Sequence, residues 1–589
     1  MRTLLWLEGV DFDETLFDTN HLSVLRGGSL ALLAAASEAQ WFLEQSLKGV
    51  EPVFGAASLA LFRLPCDVAA ARSLRDALLR HLHNTGVDVE AIRRAARRQF
   101  DPTQLLPPFA YMRFVAGVAE ETGTATAPRL AQAEARVMQM QGTAPRRAST
   151  PAIENCRFSL HAAADSTLEL KPDHAAKYGV VATGDTNATV PVSRAVAARW
   201  YYGRRQRQLF YRDSEIVGEA VGKLISEGHS FTDNLQDMID LGCSPEFSKR
   251  QEAVAKGNHD LAEWLGAAQK LHEALPRAVR GKMAVLYADG NEFTAIRTQM
   301  GGNSDALKQF SDAAKPTMQK MLAAVVNVVA AGAQDGATTT QQVAARYYDF
   351  PEEGNSDGIF PQQLRFETLL YGGDEVCFVV PAWFGLAMAK AFFEVVKGAE
   401  VAGHPLTFKA GLVFAPVKMP IRVARGLAKD LADSVKQGRS NRLGIHAFES
   451  VEPPANGLMT LRKGLFGEAL SESAKAQLAI DGDMFAETGL DNLIHITGDD
   501  GFPRSQLFRL LRGAQWMDKE GRKAATPRKL GDPDAGDMAH ELLKDYGKPP
   551  DGFWGAALDD PKASAVAAWA ITHLWDYVAP VDRAAEGMQ

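Results

Sequence analysis

The most constraining stretch is residues 369–380, LLYGGDEVCFVV. Two apolar runs flank Gly372-Gly373-Asp374-Glu375, which predicts a β-hairpin whose tip carries two carboxylates. Glycine suits such a turn because it adopts positive φ without a Cβ clash. Two adjacent acids repel each other and turn chemistry does not require both, so a bound divalent cation is the physical reason to place them there. A second acid stands in a similar setting upstream, where the apolar run 283–287 ends in Asp289-Gly290 and a helical pattern follows. One carboxylate at a strand end and one or two at a hairpin tip is how a two-metal nucleotidyl-transfer site is assembled.

The surroundings of these acids predict a mixed α/β (α+β) unit. Residues 281–450 read as strand (283–287), helix (307–331), the hairpin, helix (383–398), strand (407–414) and helix (421–436). The N-terminal part repeats the order: strand 4–7, a helical pattern over 18–33, a hairpin shape over 53–64, helix 69–82 and strand 109–118. Its hairpin tip, Gly55-Ala56-Ala57-Ser58, has no acid. Its first helix is interrupted by Arg26-Gly27-Gly28-Ser29; each glycine disfavours helix by ~1 kcal/mol relative to alanine, which points to close packing or approach to a ligand. Strand, helix, hairpin, helix, strand is the order of a ferredoxin-like palm. The expectation is an internal duplication in which only the second palm carries acids.

The remaining segments divide the chain into 1–140 (degenerate first palm), 141–280 (partly helical inter-palm region), 281–450 (second palm) and 451–589 (helical C-terminal domain). Residues 121–185 carry weak structural signals and read as connections. Residues 194–212 contain six arginines, five aromatics and no acid. That composition grips phosphates and stacks bases, which makes Arg194, Arg199, Arg204, Arg205 and Arg207 candidate nucleic-acid ligands. The rival reading is an amphipathic helix with a solvated arginine face. Residues 214–275 read as helical with a break at 242–245. The basic segment containing Arg504, Arg509, Arg512, Arg522 and Lys523 reads as a solvated helix face, and Trp554, Trp569 and Trp575 as the packing of a helical bundle.

Composition narrows the class. Hydrophobic residues are 46% and charged residues 23%, as in a globular chain. No apolar run approaches the ~20 residues of a membrane span, and the start turns acidic too soon for a signal peptide. The four cysteines form no CxxC pair, so neither a disulfide framework nor a zinc site is expected, and a cytoplasmic location fits. The net charge of −8 means that nucleic-acid binding has to come from a local patch.

GGDE between two strands, with DG-x-x-F after an earlier strand, resembles the palm of GGDEF cyclases and of the CRISPR polymerase family, the large subunit of type III CRISPR effector complexes. The N-terminal EGVDFDETLFDTNHLSVLRGGSLALL resembles that subunit's first palm, and a GGDEF cyclase has no such companion. The chain departs from the family pattern in four places. No HD-type nuclease pair precedes the first palm. Cys156-Arg157-Phe158-Ser159 stands where a zinc-binding CxxC often lies, so no zinc is expected. Glu375 replaces the usual second Asp of GGDD, and Asn291 replaces a second acid after Asp289; both changes are expected to weaken metal binding.

The resemblance implies Asp289 and Asp374 as ligands of two Mg²⁺ or Mn²⁺ ions, with Glu375 as a third acid. Gly290, Asn291, Gly372 and Gly373 would line the triphosphate. Lys436 and Arg439, in ADSVKQGRSN, resemble the AK-x-x-GR helix end of GGDEF-type palms, and Lys418 is a further cation candidate. By symmetry Arg26, Gly27 and Gly28 would hold an acceptor nucleotide. The implied activity is conversion of an NTP, ATP by this resemblance, to a cyclic oligoadenylate second messenger in antiviral defence, with RNA and other CRISPR-like subunits as partners. The rival is an RNA-binding ribonucleoprotein scaffold with a silent palm; a dinucleotide cyclase using guanine is a third reading.

Overall fold

Two sheets are built from the same sequence of elements. The computed structural model describes residues 2–587 apart from 57, 97–104, 146–153, 160–161, 171–174, 176–179, 181–186, 233, 242–258, 335–336, 349–361, 469, 499–500, 518–521, 524–525, 545–548 and 550. In the first half β1 (Thr3–Val10), α1 (Leu22–Ser46), β2 (Glu51–Gly55), β3 (Leu59–Leu64), α2 (Val68–Asn84) and β4 (Arg113–Glu120) follow one another, then α3 (Thr126–Met140). The strand order is β2-β3-β1-β4, with every neighbouring pair antiparallel. Helix α4 (Arg194–Phe210) lies between the halves.

The second half runs β5 (Lys282–Gly290), α5 (Phe293–Gln299), α6 (Ser304–Ala330), β6 (Glu367–Gly372), β7 (Glu375–Pro381), α7 (Gly385–Val396), β8 (Phe408–Pro416), α8 (Ile421–Ser434) and β9 (Arg442–Ala447). Its order is β6-β7-β5-β8-β9, continued by the two-residue β10 (Ile480–Asp481). The first four strands are antiparallel, and β9 joins β8 in parallel. The break expected at 242–245 lies outside the described residues. Among those described, no helix is long and apolar enough to cross a membrane.

The two halves correspond at the level of single contacts. On β4, a Cβ at Gly117 would lie 2.1 Å from the Ala131 carbonyl oxygen of α3; on β8, a Cβ at Gly411 would lie 2.0 Å from the Ala428 carbonyl oxygen of α8. Only glycine lets helix and sheet approach so closely. The surrounding sequences are Phe114-Val115-Ala116-Gly117 and Phe408-Lys409-Ala410-Gly411. At the hairpins, Gly9 N donates to Ser58 O at 2.8 Å and Gly290 N donates to Asp374 O at 2.9 Å. Asp11 and Glu292, two residues on, both adopt left-handed φ, 57° and 56°. These matches pair Trp6 with Tyr287, Glu8 with Asp289 and Val115 with Lys409.

Helix α3 occupies residues expected to form a connection. It packs Ala127, Ala131 and Ala135 against Leu4, Trp6 and Val115. Alanine forms helix well but gives little hydrophobic contrast, so its apolar stripe is hard to see in the pattern.

The halves meet through the hairpins and through buried charge. A Cβ at Gly373 would lie 3.2 Å from the Ala56 Cβ, so the two tips touch. Arg63 on β3 binds Glu51 and Glu121 at 2.8 Å each, and reaches Ser304 (2.8 Å) and Asp305 (2.5 Å) at the start of α6. Helices α1 and α4 cross at two glycines: a Cβ at Gly27 would lie 1.9 Å from the Arg199 carbonyl oxygen, and one at Gly203 2.2 Å from that of Ser23. Helix α1 is unbroken there. Arg26 is buried and donates from Nε to Glu367 Oε1 at 3.1 Å, while Arg207 Nε lies 3.5 Å from Glu367 Oε2. A Cβ at Gly28 would lie 2.3 Å from Leu16. Arg26, Gly27 and Gly28 therefore serve this crossing rather than an open ligand surface.

Removing one partner of a buried ion cluster leaves the other charge uncompensated. Glu367→Gln is expected to lower stability by ~3 kcal/mol in urea denaturation, because two buried guanidiniums lose their carboxylate. A loss below ~1 kcal/mol would show that this cluster does not hold β6 to α1 and α4.

Candidate functional site

The acids come together because strand register puts them together. Gly372 and Gly373 have φ of 141° and 66°, which a side-chain-bearing residue adopts only with strain. This turn carries Asp374 at the tip. The bond from Gly290 N to Asp374 O fixes the tip to the end of β5. Glu375 on β7 is the direct partner of Asp289, and Lys409 on β8 is its partner on the other side. Directly opposed residues share a sheet face. Glu375, Asp289 and Lys409 thus form one row across the sheet.

The electrostatics of the row are strained and partly relieved. Lys409 Nζ lies 3.0 Å from Asp289 Oδ2 and also pairs with Asp433 of α8. Asp374 is half-buried; burial, and next the Asp289 charge, push its carboxyl up to about 6. Arg297 of α5 is held below its ordinary value by burial, with Asp374 drawing it back up. Its Nε donates to Phe293 O at 3.2 Å, and its guanidinium lies 5.6 Å from the Phe310 ring centre. Tyr287 precedes Asp289 by two residues on the same face and is buried. Burial first, and then Glu375, raise its hydroxyl far above the ordinary range, and that hydroxyl makes no hydrogen bond of good geometry.

Most of the residues expected at the second hairpin are assembled here: Asp289, Gly290, Gly372, Gly373, Asp374 and Glu375 lie at one sheet edge. Asn291 is buried, and its side chain donates to Thr407 Oγ1 (3.3 Å) and Ser440 O (3.0 Å), tying the end of β5 to its neighbours rather than facing a ligand. Lys436 follows α8 at the same edge and is exposed. Arg439 binds Glu292 (2.7 Å) and Gln299 (3.2 Å) there. Lys418 is not at this edge. Strand β8 begins opposite Gly290 and ends at Pro416 opposite Lys282, so Lys418 stands at the far end of the sheet, about 25 Å away at 3.3 Å per residue.

The arginine stretch is also corrected in part. Arg199 is buried on Asp18 (2.9 Å), and Arg207 is buried, donating to Phe231 O at 2.7 Å. Arg194 is exposed beside Asp165, Arg204 is exposed over the Trp200 ring at 4.8 Å, and Arg205 is half-buried against Gln208 at 3.0 Å. The arginines therefore divide between core and surface. In the CxxS turn, Ser159 N donates to Cys156 Sγ at 3.3 Å.

Three residues were missed from the sequence: Lys409, Arg297 and Glu8. Glu8 overturns the expectation that the first half has no acid, because it holds on β1 the position that Asp289 holds on β5. Its carboxylate accepts from Trp6 Nε1 at 3.1 Å. The signal was present in Glu8-Gly9 beside Asp289-Gly290, and in FVAG beside FKAG.

Hard carboxylate oxygens suit Mg²⁺ or Mn²⁺. Among the described residues no three His, Cys, Asp or Glu side chains gather closely enough to hold an ion by themselves. Asp289 and Asp374 supply two carboxylates at this edge, fewer than an all-protein cage needs.

No family model matches the sequence, and no curated protein matches it. Solved structures similar to this chain include Csm1 proteins. They include a Csm1-Csm4 cassette in complex with AMPPNP, at 14% identity over 98% of this chain and 70% of that chain, with a TM-score of 0.46. Csm1 in T.onnurineus is 14% identical over 98% and 69%, with a TM-score of 0.43. The Csm1-Csm4 subcomplex in the type III-A CRISPR-Csm interference complex is 14% identical over 98% and 70%, with a TM-score of 0.44.

The raised Asp374 carboxyl has a stability consequence of definite sign. Its ordinary value is 3.8 and its folded value is about 6, so the folded chain holds this proton more tightly than the unfolded one. Its contribution grows as pH falls from 6 towards 4 and is a penalty above 6. Asp374→Asn is expected to stabilise the protein at pH 7.5 by ~1–2 kcal/mol, discounted for partial solvent exposure, and to remove that pH-dependent gain. Denaturation at pH 4.5 and 7.5 checks this; equal stability of both proteins at pH 7.5 contradicts it.

Proposed function

We propose that the chain is a nucleotidyltransferase of the CRISPR polymerase type, which converts ATP to a cyclic oligonucleotide second messenger in antiviral defence. In this reading both sheets are ferredoxin-like palms, at 1–140 and 281–450, and 141–280 and 451–589 are the inter-palm and C-terminal domains. RNA and other CRISPR-like subunits are its partners. The observation that carries the reading is the register that brings Asp289 and Glu375 together beneath the Asp374 tip, where the tip of the first sheet touches it.

The chain's own groups have definite tasks in this reading. Asp289 and Asp374 would hold Mg²⁺ or Mn²⁺, which when bound would activate the attacking hydroxyl and stabilise the departing pyrophosphate. Gly372 and Gly373 leave room for phosphates at the tip. Arg297 and Lys436 lie at the same edge and offset phosphate charge, and Arg439 does so by exchanging Glu292 for a phosphate. Ala56 of the first half touches Gly373, on the side where a second nucleotide would be presented.

One observation favours the scaffold alternative: Asp289 is already paired with Lys409, which weakens it as a metal ligand. Both readings are separated by one assay. The protein, with its partner subunits, is incubated with each NTP and Mn²⁺ and the products are identified by mass spectrometry. ATP is expected to be consumed with release of pyrophosphate. Asp289→Ala and Asp374→Ala are each expected to reduce turnover by about 100-fold or more, and Lys418→Ala to leave it unchanged. Absence of turnover with every NTP would leave the RNA-binding scaffold as the function.

A further inference from the structure

Lys409 is buried in the row of acids, with Nζ 3.0 Å from Asp289 Oδ2 and its other partner Asp433 on α8. Its counterpart in the first half is Val115, opposite Glu8. The lysine therefore belongs to the half whose hairpin tip carries acids. The groups facing it are Asp289 from β5, Glu375 across the row from β7, and Asp433 from α8. The Tyr287 hydroxyl, nine-tenths buried and lacking a well-formed hydrogen bond, lies on the same face beside Glu375.

An ammonium at this distance takes up one of the lone pairs of Oδ2 and neutralises the charge that would attract a metal. We propose that Lys409 is a built-in cation of the site. Its ammonium stands in for one of two divalent ions, so that the chain takes a single metal, carried in on the triphosphate and held on the Asp374 side. The proposal rests on the metal-dependent reading above and changes its stoichiometry from two ions to one.

Two binding measurements decide it. Equilibrium dialysis of the full chain with Mn²⁺ and AMPPNP counts ions per protein; one is expected, and two would overturn the proposal even if no variant folds. With Mn²⁺ alone, Lys409→Met is expected to bind at least ~tenfold more tightly than the natural chain, because Asp289 is released, whereas Lys409→Arg keeps the weak affinity. Equal affinity in Lys409→Met and the natural chain would overturn the proposal while leaving the metal site in place. Absence of Mn²⁺ binding in all three proteins would remove the metal reading itself, and this inference with it.

Discussion

Asp289 and Glu375 face each other across two antiparallel strands, and like charges in directly opposed positions destabilise a sheet. Much of the second half is arranged around that conflict. Lys409 meets Asp289 from the third strand, and the Arg297 charge acts on Asp374. The hairpin bearing the charge is held from behind by the buried Glu367, which is clamped between Arg26 and Arg207. A site with this much local repulsion persists because the surrounding packing over-determines it, the usual condition of functional positions.

The first half shows the same frame with the conflict removed. Glu8 faces Val115 and Leu59 instead of Lys409 and Glu375, and Ser58 stands in place of Asp374. The left-handed residues Asp11 and Glu292, the hairpin-to-strand hydrogen bonds and the glycine contacts at Gly117 and Gly411 all survive. The shared features are those that backbone geometry requires, and the differing ones are side chains at a single edge. The two halves thus share one backbone frame and differ in charge at that edge. The contact of Gly373 with Ala56 places the two edges together.

Much of this was legible in the residues. The hairpin, its flanking strands and the acid at the end of β5 followed from alternation and glycine placement, because those signals are local. What was not legible depended on long-range pairing. Nothing local distinguishes Arg26, whose partner Glu367 is far along the chain, from a solvent-facing arginine, and the same holds for Arg199 and Arg207. Lys418 looked close to the site because sequence distance hides which end of a strand a turn belongs to. Lys409 was overlooked for the converse reason: it lies mid-pattern in an apolar strand, and only the register with Asp289 gives it meaning. Helix α3 was hidden by its alanine content, although the same alanines are what let Gly117 approach it.

The account turns on whether the edge formed by Asp289 and the Gly372–Glu375 tip binds a metal-nucleotide. A crystal structure of the chain with AMPPNP and Mn²⁺, recorded at the manganese absorption edge, tests this most directly. The account predicts an anomalous peak beside the Asp374 carboxylate, with the triphosphate lying over Gly372 and Gly373 towards Arg297 and Lys436. Nucleotide bound elsewhere, or a tip with neither metal nor phosphate at saturating concentration, would contradict it.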